Sequence, residues 1–294
     1  MKHLFIINPA AGSRDRTAEY TAQIHRLCQG LDYEIAVSQA PGECRRLARE
    51  AAETGENVRI YACGGDGTLN EVISGLMRLE NRPPLGYLAQ GSTNDFAASL
   101  HISSKPAVAA EAMVSAVPRQ LDIGRWNERF FVYVASFGAF TKSSYTAPQA
   151  AKNALGHLAY ILEGMKDLNT LRPYQVRLTA DGEVLDGEYL FGAVCNSTSI
   201  GGLMKLDPER VVLDDGKFEL LLIPNPRTAQ DLQNLVLALL NQEYDSQGLV
   251  FRHVSSIHLE TEEELPWSLD GEYAASAPVV DITNCRQAMT MLLG

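Results

Sequence analysis

The feature that most constrains this chain is the alternation in its first 124 residues, where short β-branched or apolar runs give way each time to a segment of helical period. The runs are Leu4–Ile7, Tyr33–Val37, Val58–Cys63, Leu85–Ala89 and Gln120–Ile123; the helical segments are Thr17–Gln29, Glu43–Glu53, Thr68–Leu79 and Ala107–Ala116. The third helical segment is the clearest, because Leu69, Val72, Ile73, Leu76 and Met77 fall at i, i+3, i+4, i+7 and i+8 and make one apolar stripe. Strands separated by helices imply a parallel, doubly wound α/β sheet.

After Gly124 the pattern changes to strands that follow one another: Phe130–Ser136, Tyr174–Thr179, Tyr189–Cys195, Phe218–Ile223 and Ser255–Glu260. This half reads as largely antiparallel. Two helices interrupt it, one carrying Leu155, Leu158, Leu162 and Met165, the other Leu232, Leu235, Val236, Leu239 and Leu240. The second opens on Thr228 and Asp231, a capping box with Asp in place of the usual Glu or Gln. A domain boundary is expected near Gly124–Asn127, and 294 residues suit two domains because single cores stop growing at roughly 250 residues.

Charge and cysteine usage exclude several roles. Lys and Arg total 25 against 36 Asp and Glu, a net charge of -11, which repels nucleic acid and anionic membrane alike. The five cysteines (Cys28, Cys44, Cys63, Cys195, Cys285) show no C-x-x-C pair and no His at metal-ligand spacing, so reduced thiols in a cytoplasmic protein are expected. The opening Met1-Lys2-His3-Leu4-Phe5-Ile6-Ile7 is too short in apolar residues for a secretory signal, which needs about 7–15. Leu235–Leu240, the longest apolar run elsewhere, is far below the ~20 residues that span a bilayer, so any membrane contact is expected to be peripheral.

Ligands of an open parallel sheet bind beyond the carboxyl ends of its strands. There the sequence places Asn8-Pro9-Ala10-Ala11-Gly12-Ser13, Gly64-Gly65-Asp66-Gly67-Thr68, Gln90-Gly91-Ser92-Thr93-Asn94-Asp95 and Asp122. Gly64, Gly65 and Gly67 let backbone N–H groups approach phosphate oxygens at a helix start. Asp66 among them would repel a polyphosphate unless a divalent cation lies between, which points to Mg²⁺-nucleotide. The local alternative is a turn whose glycines supply positive φ, with Asp66 capping the helix; Asn94 or Asp95 could likewise cap a short helix through Leu100. No G-x-x-x-x-G-K-[ST] and no G-x-G-x-x-G occurs. In the second half Asp-Gly-Glu appears at Asp181–Glu183, Asp186–Glu188 and Asp270–Glu272. The first two read together as a hairpin turn. Leu213-Asp214-Asp215-Gly216-Lys217 is an acidic turn that could hold a hard cation or be a plain D-G turn.

In order along the chain stand Asn8–Gly12, Gly64–Val72 (G-G-D-G-T-L-N-E-V), Gly91–Ala97, Asp122-Ile123-Gly124, Ser136-Phe137-Gly138, Asn196 with Gly201-Gly202, Leu213–Gly216 and Asp270-Gly271-Glu272. This series resembles the diacylglycerol kinase catalytic family, in particular its soluble bacterial lipid kinases, with sphingosine kinases as more distant relatives; NAD kinases share the G-G-D-G-T loop alone. The resemblance covers nearly the whole length. It implies an N-terminal nucleotide domain (1–125, rejoined by 279–294) and a C-terminal β-sandwich-like domain (126–278) on the lipid side of a cleft. It also implies ATP held by Asn8, Gly12, Gly64, Gly65, Asp66, Gly67, Thr68, Asn70, Glu71, Ser92, Thr93, Asn94 and Asp95, with Ser38 as the hydroxyl after the second strand. By the same resemblance Asp66 is the Mg²⁺-nucleotide aspartate and Glu272 the general base, Asp66 being the other candidate base. Asp215, with carbonyls near Val212 and Lys217, matches a structural cation site. The chain departs from the family in writing Ser92 for the usual Thr and Ala11 where Ser is common; Arg14 or Arg16 could supply the basic residue that often follows the first block.

The reading is an ATP- and Mg²⁺-dependent lipid kinase acting on a hydroxyl of a diacylglycerol-like or related lipid alcohol. The lipid would be met by transient peripheral membrane contact and would enter near the Leu155–Met165 segment; homodimer formation is left open. The rivals are an NAD kinase-like small-molecule kinase, which the acidic blocks of the second half argue against, and a non-catalytic nucleotide or lipid sensor, which intact Asp66, Asp95 and Glu272 disfavour.

Overall fold

The structure, a computed structural model, describes residues 1–91, 94–103, 108, 111, 116–138, 172–200, 204–244 and 248–293. They divide into two units, Met1–Ile123 with Arg286–Gly294 and Gly124–Cys285.

In the first unit the expected alternation is realised as β1 (Lys2–Ile7), α1 (Thr17–Leu27), β2 (Tyr33–Val37), α2 (Glu43–Glu53), β3 (Val58–Gly64), α3 (Asp66–Leu76), β4 (Leu85–Ala89) and the short α4 (Asp95–Ser99). The strands run parallel in the order β2-β1-β3-β4. Every residue of β4 is buried, as a strand covered on both faces requires. The stripe Leu69, Val72, Ile73, Leu76 and Met77 is buried throughout, and on α1 Tyr20 and Ile24 pack with Phe5, Ile7, Tyr61 and Leu88. Polar loops leave the carboxyl ends of β1, β3 and β4.

The fifth place in this sheet differs from the expectation. Residues 120–123 belong to β5 (Val117–Trp126), which pairs antiparallel with β6 (Arg129–Phe131), and the strand parallel to β4 is instead the chain's last, through Met291 and Leu292 opposite Leu85 and Gly86. Asp122 is therefore no loop residue. It is fully buried within β5 and accepts from the N–H of Gln287, which has a left-handed φ of 48° within that last strand. A single apolar run cannot reveal which distant segment will lie beside β4.

In the second unit follow β7 (Val134–Gly138), β8 (Tyr174–Ala180), β9 (Glu183–Cys195), the two-residue β10 (Ser199–Ile200) and β11 (Met204–Lys205), β12 (Phe218–Pro224), α5 (Ala229–Asn241), β13 (Val250–Val254), β14 (Ser256–Glu260), β15 (Trp267–Leu269), β16 (Glu272–Ala274) and the start of β17 (Val279–Leu293). The organiser is β9. Its first half pairs with β8, and its second half lies between β7 and β12, all antiparallel. Aromatic rings fill the core, with Phe137 5.1 Å from Trp267 and Trp126 5.8 Å from Trp267 between centroids. The capping box at α5 is present in both directions: Asp231 N–H donates to Thr228 Oγ1 at 3.1 Å, and Thr228 N–H to Asp231 Oδ2 at 2.9 Å. The Ala107–Ala116 helix lies largely, and the Leu155–Met165 helix wholly, outside the described residues. None of the five cysteines forms a disulfide. Among the described residues no helix is long and apolar enough to cross a membrane.

One turn expectation needs correction. Only Asp181-Gly182 turns between β8 and β9, while Asp186-Gly187-Glu188 continue β9 opposite Gln175, Val176 and Arg177. Asp181 is a clasp, since its carboxylate accepts from the N–H and Oγ of both Ser255 and Ser256 at 2.8–2.9 Å. Burial pushes its carboxyl up, but these donors outweigh it and hold it below its ordinary value of 3.8. A depressed folded-state value means that the stabilisation is present above the unfolded value and is lost as pH falls through the folded one. Asp181→Ala should thus lower the melting temperature by about 2–4 °C at neutral pH, roughly 1 kcal/mol for an exposed clasp. Melts across acid pH should show the gap to wild type narrowing as pH falls through the carboxylate range; a gap of the same size at neutral and strongly acid pH would contradict the clasp.

Candidate functional site

The site grows out of loops that approach too closely to admit side chains between them. A Cβ on Gly64 would lie 2.3 Å from Thr68 Oγ1, and one on Gly12, whose φ is +79°, would lie 2.4 Å from the carbonyl oxygen of Gln90. Gly65 and Gly91 leave a similarly narrow space between the second and third loops, where a Cβ on Gly91 would be 2.8 Å from Gly65 Cα. Polar bonds then tie the loops. Asn8 Nδ2 donates to Thr68 Oγ1 at 2.9 Å, Gln90 N–H to Gly64 O at 2.7 Å, and Gln90 Nε2 to Ala11 O at 3.4 Å. Gly64, Gly65 and Gly67 do not adopt positive φ, so the turn alternative for these glycines fails; at Gly64 and Gly65 it is space that excludes a side chain.

Asp66 is not a cap either. Gly65 holds the N-cap position of α3 without a side-chain bond, and the Asp66 carboxylate turns away. Its Oδ1 accepts from the Tyr87 hydroxyl and its Oδ2 from the Asp95 N–H, both at 3.1 Å. Burial, then the neighbouring Asp66 carboxylate, pushes the Tyr87 hydroxyl well above its ordinary range and keeps it a donor. Both of these donors are neutral groups, while the first N–H groups of α3 have no intrahelical acceptor. Asn94 stands at the N-cap of α4 in left-handed conformation (φ 53°), yet its side chain donates to Gly91 O at 2.8 Å rather than capping.

The remaining residues of the first unit surround this centre. Glu71 Oε1 accepts from Gly42 N–H at 2.9 Å, Asn70 accepts from Ser74 Oγ one turn on, and the buried Ser38 donates its N–H to Ile7 O. Among the described residues Glu71 Oε2 and Asn94 Oδ1 are buried acceptors without a hydrogen-bond partner, a state that costs free energy unless a donor is supplied. Orphaned acceptors, a narrow glycine-lined space and a charged Asp66 together fit a nucleotide with its cation. Ser92 and Thr93 lie outside the described residues.

In the second unit, Asp270 and Glu272 divide into two roles. Asp270, left-handed at φ 49°, is buried and accepts from the N–H groups of Val132, Tyr133 and Val134 at 2.7–3.0 Å. It anchors the β15–β16 hairpin. Glu272 follows two residues later as the exposed first residue of β16, opposite Leu269. Its two look-alikes are engaged elsewhere: Glu183 with Arg252 and Glu188 with Arg227, each at 2.9 Å. Asp215 accepts from Lys217 N–H at 2.8 Å, so the D-G turn is present there. Around it, as elsewhere among the described residues, no three His, Cys, Asp or Glu side chains gather at one point. Any cation at this turn would therefore rely on backbone carbonyls such as that of Val212.

Sequence reasoning missed Tyr87 as a site residue and named Gln90 only as the first residue of its loop. A tyrosine within an otherwise apolar strand is the available signal, because a buried hydroxyl has to find a partner.

Comparison with known proteins shows the family and the fold. Residues 2–126 match the diacylglycerol kinase catalytic domain, and residues 134–292 match the YegS C-terminal NAD kinase beta sandwich-like domain. The chain is similar to the diacylglycerol kinase of Bacillus subtilis (strain 168), with 35% identity over 93% of this chain and 90% of that protein. It is also similar to the diacylglycerol kinase of Staphylococcus aureus (strain MRSA252), with 30% identity over 93% and 86%. A crystal structure from Bacillus anthracis str. Sterne, of a protein named there as a candidate diacylglycerol kinase, matches with a TM-score of 0.84 at 26% identity, covering 100% of this chain and 97% of that one.

The packing at Gly64 is directly testable. Gly64→Ala should cost ~1–3 kcal/mol in urea unfolding, as overpacking does. In a Thr68→Ala background the added cost should shrink, because the Oγ1 and Cγ2 atoms that the new methyl meets are gone. Strictly additive costs would show that the two residues do not share this contact.

Proposed function

The chain belongs to the diacylglycerol kinase catalytic family, and from that premise we propose that it is an ATP- and Mg²⁺-dependent lipid kinase that phosphorylates a hydroxyl of a diacylglycerol-like lipid alcohol. The observation that carries the reading is Asp66, a carboxylate held by two neutral donors among loops too close for side chains. Phosphoryl transfer is mainly positioning and charge neutralisation, so a rigid cradle beside one fixed negative charge is what the chemistry asks for. Mg²⁺ would neutralise phosphate charge beside Asp66 when bound.

The chain's own residues divide the remaining work. The α3 N-terminus and the Gly12 and Gly91 loops bind phosphate oxygens, and Asn8 with Thr68 keeps the first loop against the second. Glu71 and Ser38 face the rest of the nucleotide. Glu272, an exposed carboxylate set by the Asp270 anchor, accepts the proton of the lipid hydroxyl. Asp215 with the Val212 and Lys217 carbonyls holds a cation that orders its turn. The nucleotide is assigned to residues 1–125 with 279–294 and the lipid to residues 126–278. Contact with the membrane is peripheral and transient.

Three substitutions, with two control variants, test these assignments. Asp66→Asn should lower turnover by about 10²–10³-fold at saturating Mg²⁺ with the fold intact, and near-normal turnover would remove the metal role. Glu272→Gln should cut turnover by ~10²–10⁴-fold while ATP binding barely changes, whereas Glu183→Gln and Glu188→Gln behave as wild type. Equal losses in all three, or none in Glu272→Gln, would show that the base lies elsewhere. For Asp215→Asn, the Mg²⁺-dependent rise in melting temperature should shrink relative to wild type; an unchanged rise would exclude the structural cation.

A further inference from the structure

Strand β4 carries one residue that its place in the sheet does not require. Leu85, Gly86, Leu88 and Ala89 supply the apolar faces, but Tyr87 brings a hydroxyl into a position with no solvent exposure. Such a group is satisfied only by a fixed partner, and here the partner is Asp66 Oδ1 at 3.1 Å. The other carboxylate oxygen is met by the Asp95 N–H, also at 3.1 Å. The two donors come from different directions, a rigid central strand and the start of α4, so together they set the rotation of the carboxylate about its Cβ–Cγ bond. Lys or Arg in place of Tyr87 would bring a positive charge to Asp66 and compete with a cation, and Phe would remove the hydroxyl donor from Oδ1. A neutral, buried hydroxyl directs the charge without cancelling it.

We propose that Tyr87 is a positioning residue, which orients the Asp66 carboxylate through the Tyr87 Oη to Asp66 Oδ1 hydrogen bond and thereby sets the affinity of the site for the cation-bound nucleotide. The inference rests on the reading of Asp66 as the nucleotide-metal aspartate. Groups that orient a metal-binding carboxylate from outside typically contribute 10–100-fold to affinity or activity. Another buried tyrosine provides the control. Tyr61 on β3 hydrogen-bonds His3 Nδ1 at 2.9 Å, is equally enclosed and touches none of the site residues named above.

The test compares wild type, Tyr87→Phe and Tyr61→Phe, each of which loses only one oxygen atom at most. Amide hydrogen exchange at Asp95 is measured without ligand, and binding of a non-hydrolysable ATP analogue is titrated with Mg²⁺. Turnover is followed in diacylglycerol micelles. Tyr87→Phe should keep a near-wild-type melting temperature, exchange the Asp95 amide about 10-fold faster, bind the Mg²⁺-analogue about 10–100-fold more weakly, and leave the lipid KM unchanged. Tyr61→Phe should match wild type in exchange, binding and KM. If Tyr87→Phe alters neither Asp95 exchange nor analogue binding, or if both variants weaken binding alike, the positioning role is overturned. If wild type binds no analogue while Tyr87→Phe still accelerates exchange at Asp95, the nucleotide reading fails and the hold of Tyr87 on Asp66 stands.

Discussion

The rest of the site depends on a lack of room. Where β1, β3 and β4 end, the backbone of one loop lies against that of the next, and a single methyl at Gly12 or Gly91 would collide with the backbone of Gln90 at 2.4 Å or of Gly65 at 2.8 Å. Close packing of this kind transmits position, because interiors have little free volume in which a loop could drift. It allows Asn8 to reach Thr68, and Gln90 to bond Gly64 with its N–H and Ala11 with its side chain. The N-terminus of α3 and the carboxylate of Asp66 are consequently delivered to one place by elements whose own positions are settled in the sheet.

The electrostatics follow from that geometry. A carboxylate beside phosphate oxygens is repulsive, and a cationic side chain next to Asp66 would have cancelled the effect that the site needs. Two neutral donors, the Tyr87 hydroxyl and the Asp95 N–H, stabilise the negative charge without removing it. In the second unit the Asp270 carboxylate is taken up by three backbone N–H groups and is structural, while Glu272 stands exposed two residues on.

The fold class was legible because periodicity reports burial. The continuous apolar runs became β1 to β4, and the stripe from Leu69 to Met77 is buried as its spacing requires. The capping box of Thr228 and Asp231 was readable because it is a contact three residues long. What the sequence hid was pairing between distant segments. Asp122 looked like a loop residue, yet it lies buried in β5 under Gln287, and Met291-Leu292 occupies the sheet position that residues 120–123 were expected to fill. Asp186–Glu188 repeats the letters of a turn but sits in a strand, since its neighbours across the ladder and not its own propensity decide. In the site, the glycine-rich loop was recognisable, whereas the reason for its glycines was not; space, rather than positive φ, demands Gly64 and Gly65. Tyr87 was missed for the same reason, because its partner is 21 residues away in sequence.

The net charge of -11 sets a boundary on the account, since an overall acidic molecule gains nothing from attraction to anionic lipid and its substrate must be recognised by local contacts. The central claim is that the phosphoryl group goes to a lipid hydroxyl. The direct measurement gives the purified protein ATP labelled at the γ-phosphate, with Mg²⁺ and an equimolar choice of diacylglycerol in mixed micelles and NAD in solution, and then separates the products. The account predicts label in the lipid and none in the dinucleotide. Label in NAD would assign the chain to the small-molecule kinases instead, and label in neither acceptor, nor in any component of a total lipid extract, would contradict a lipid kinase altogether.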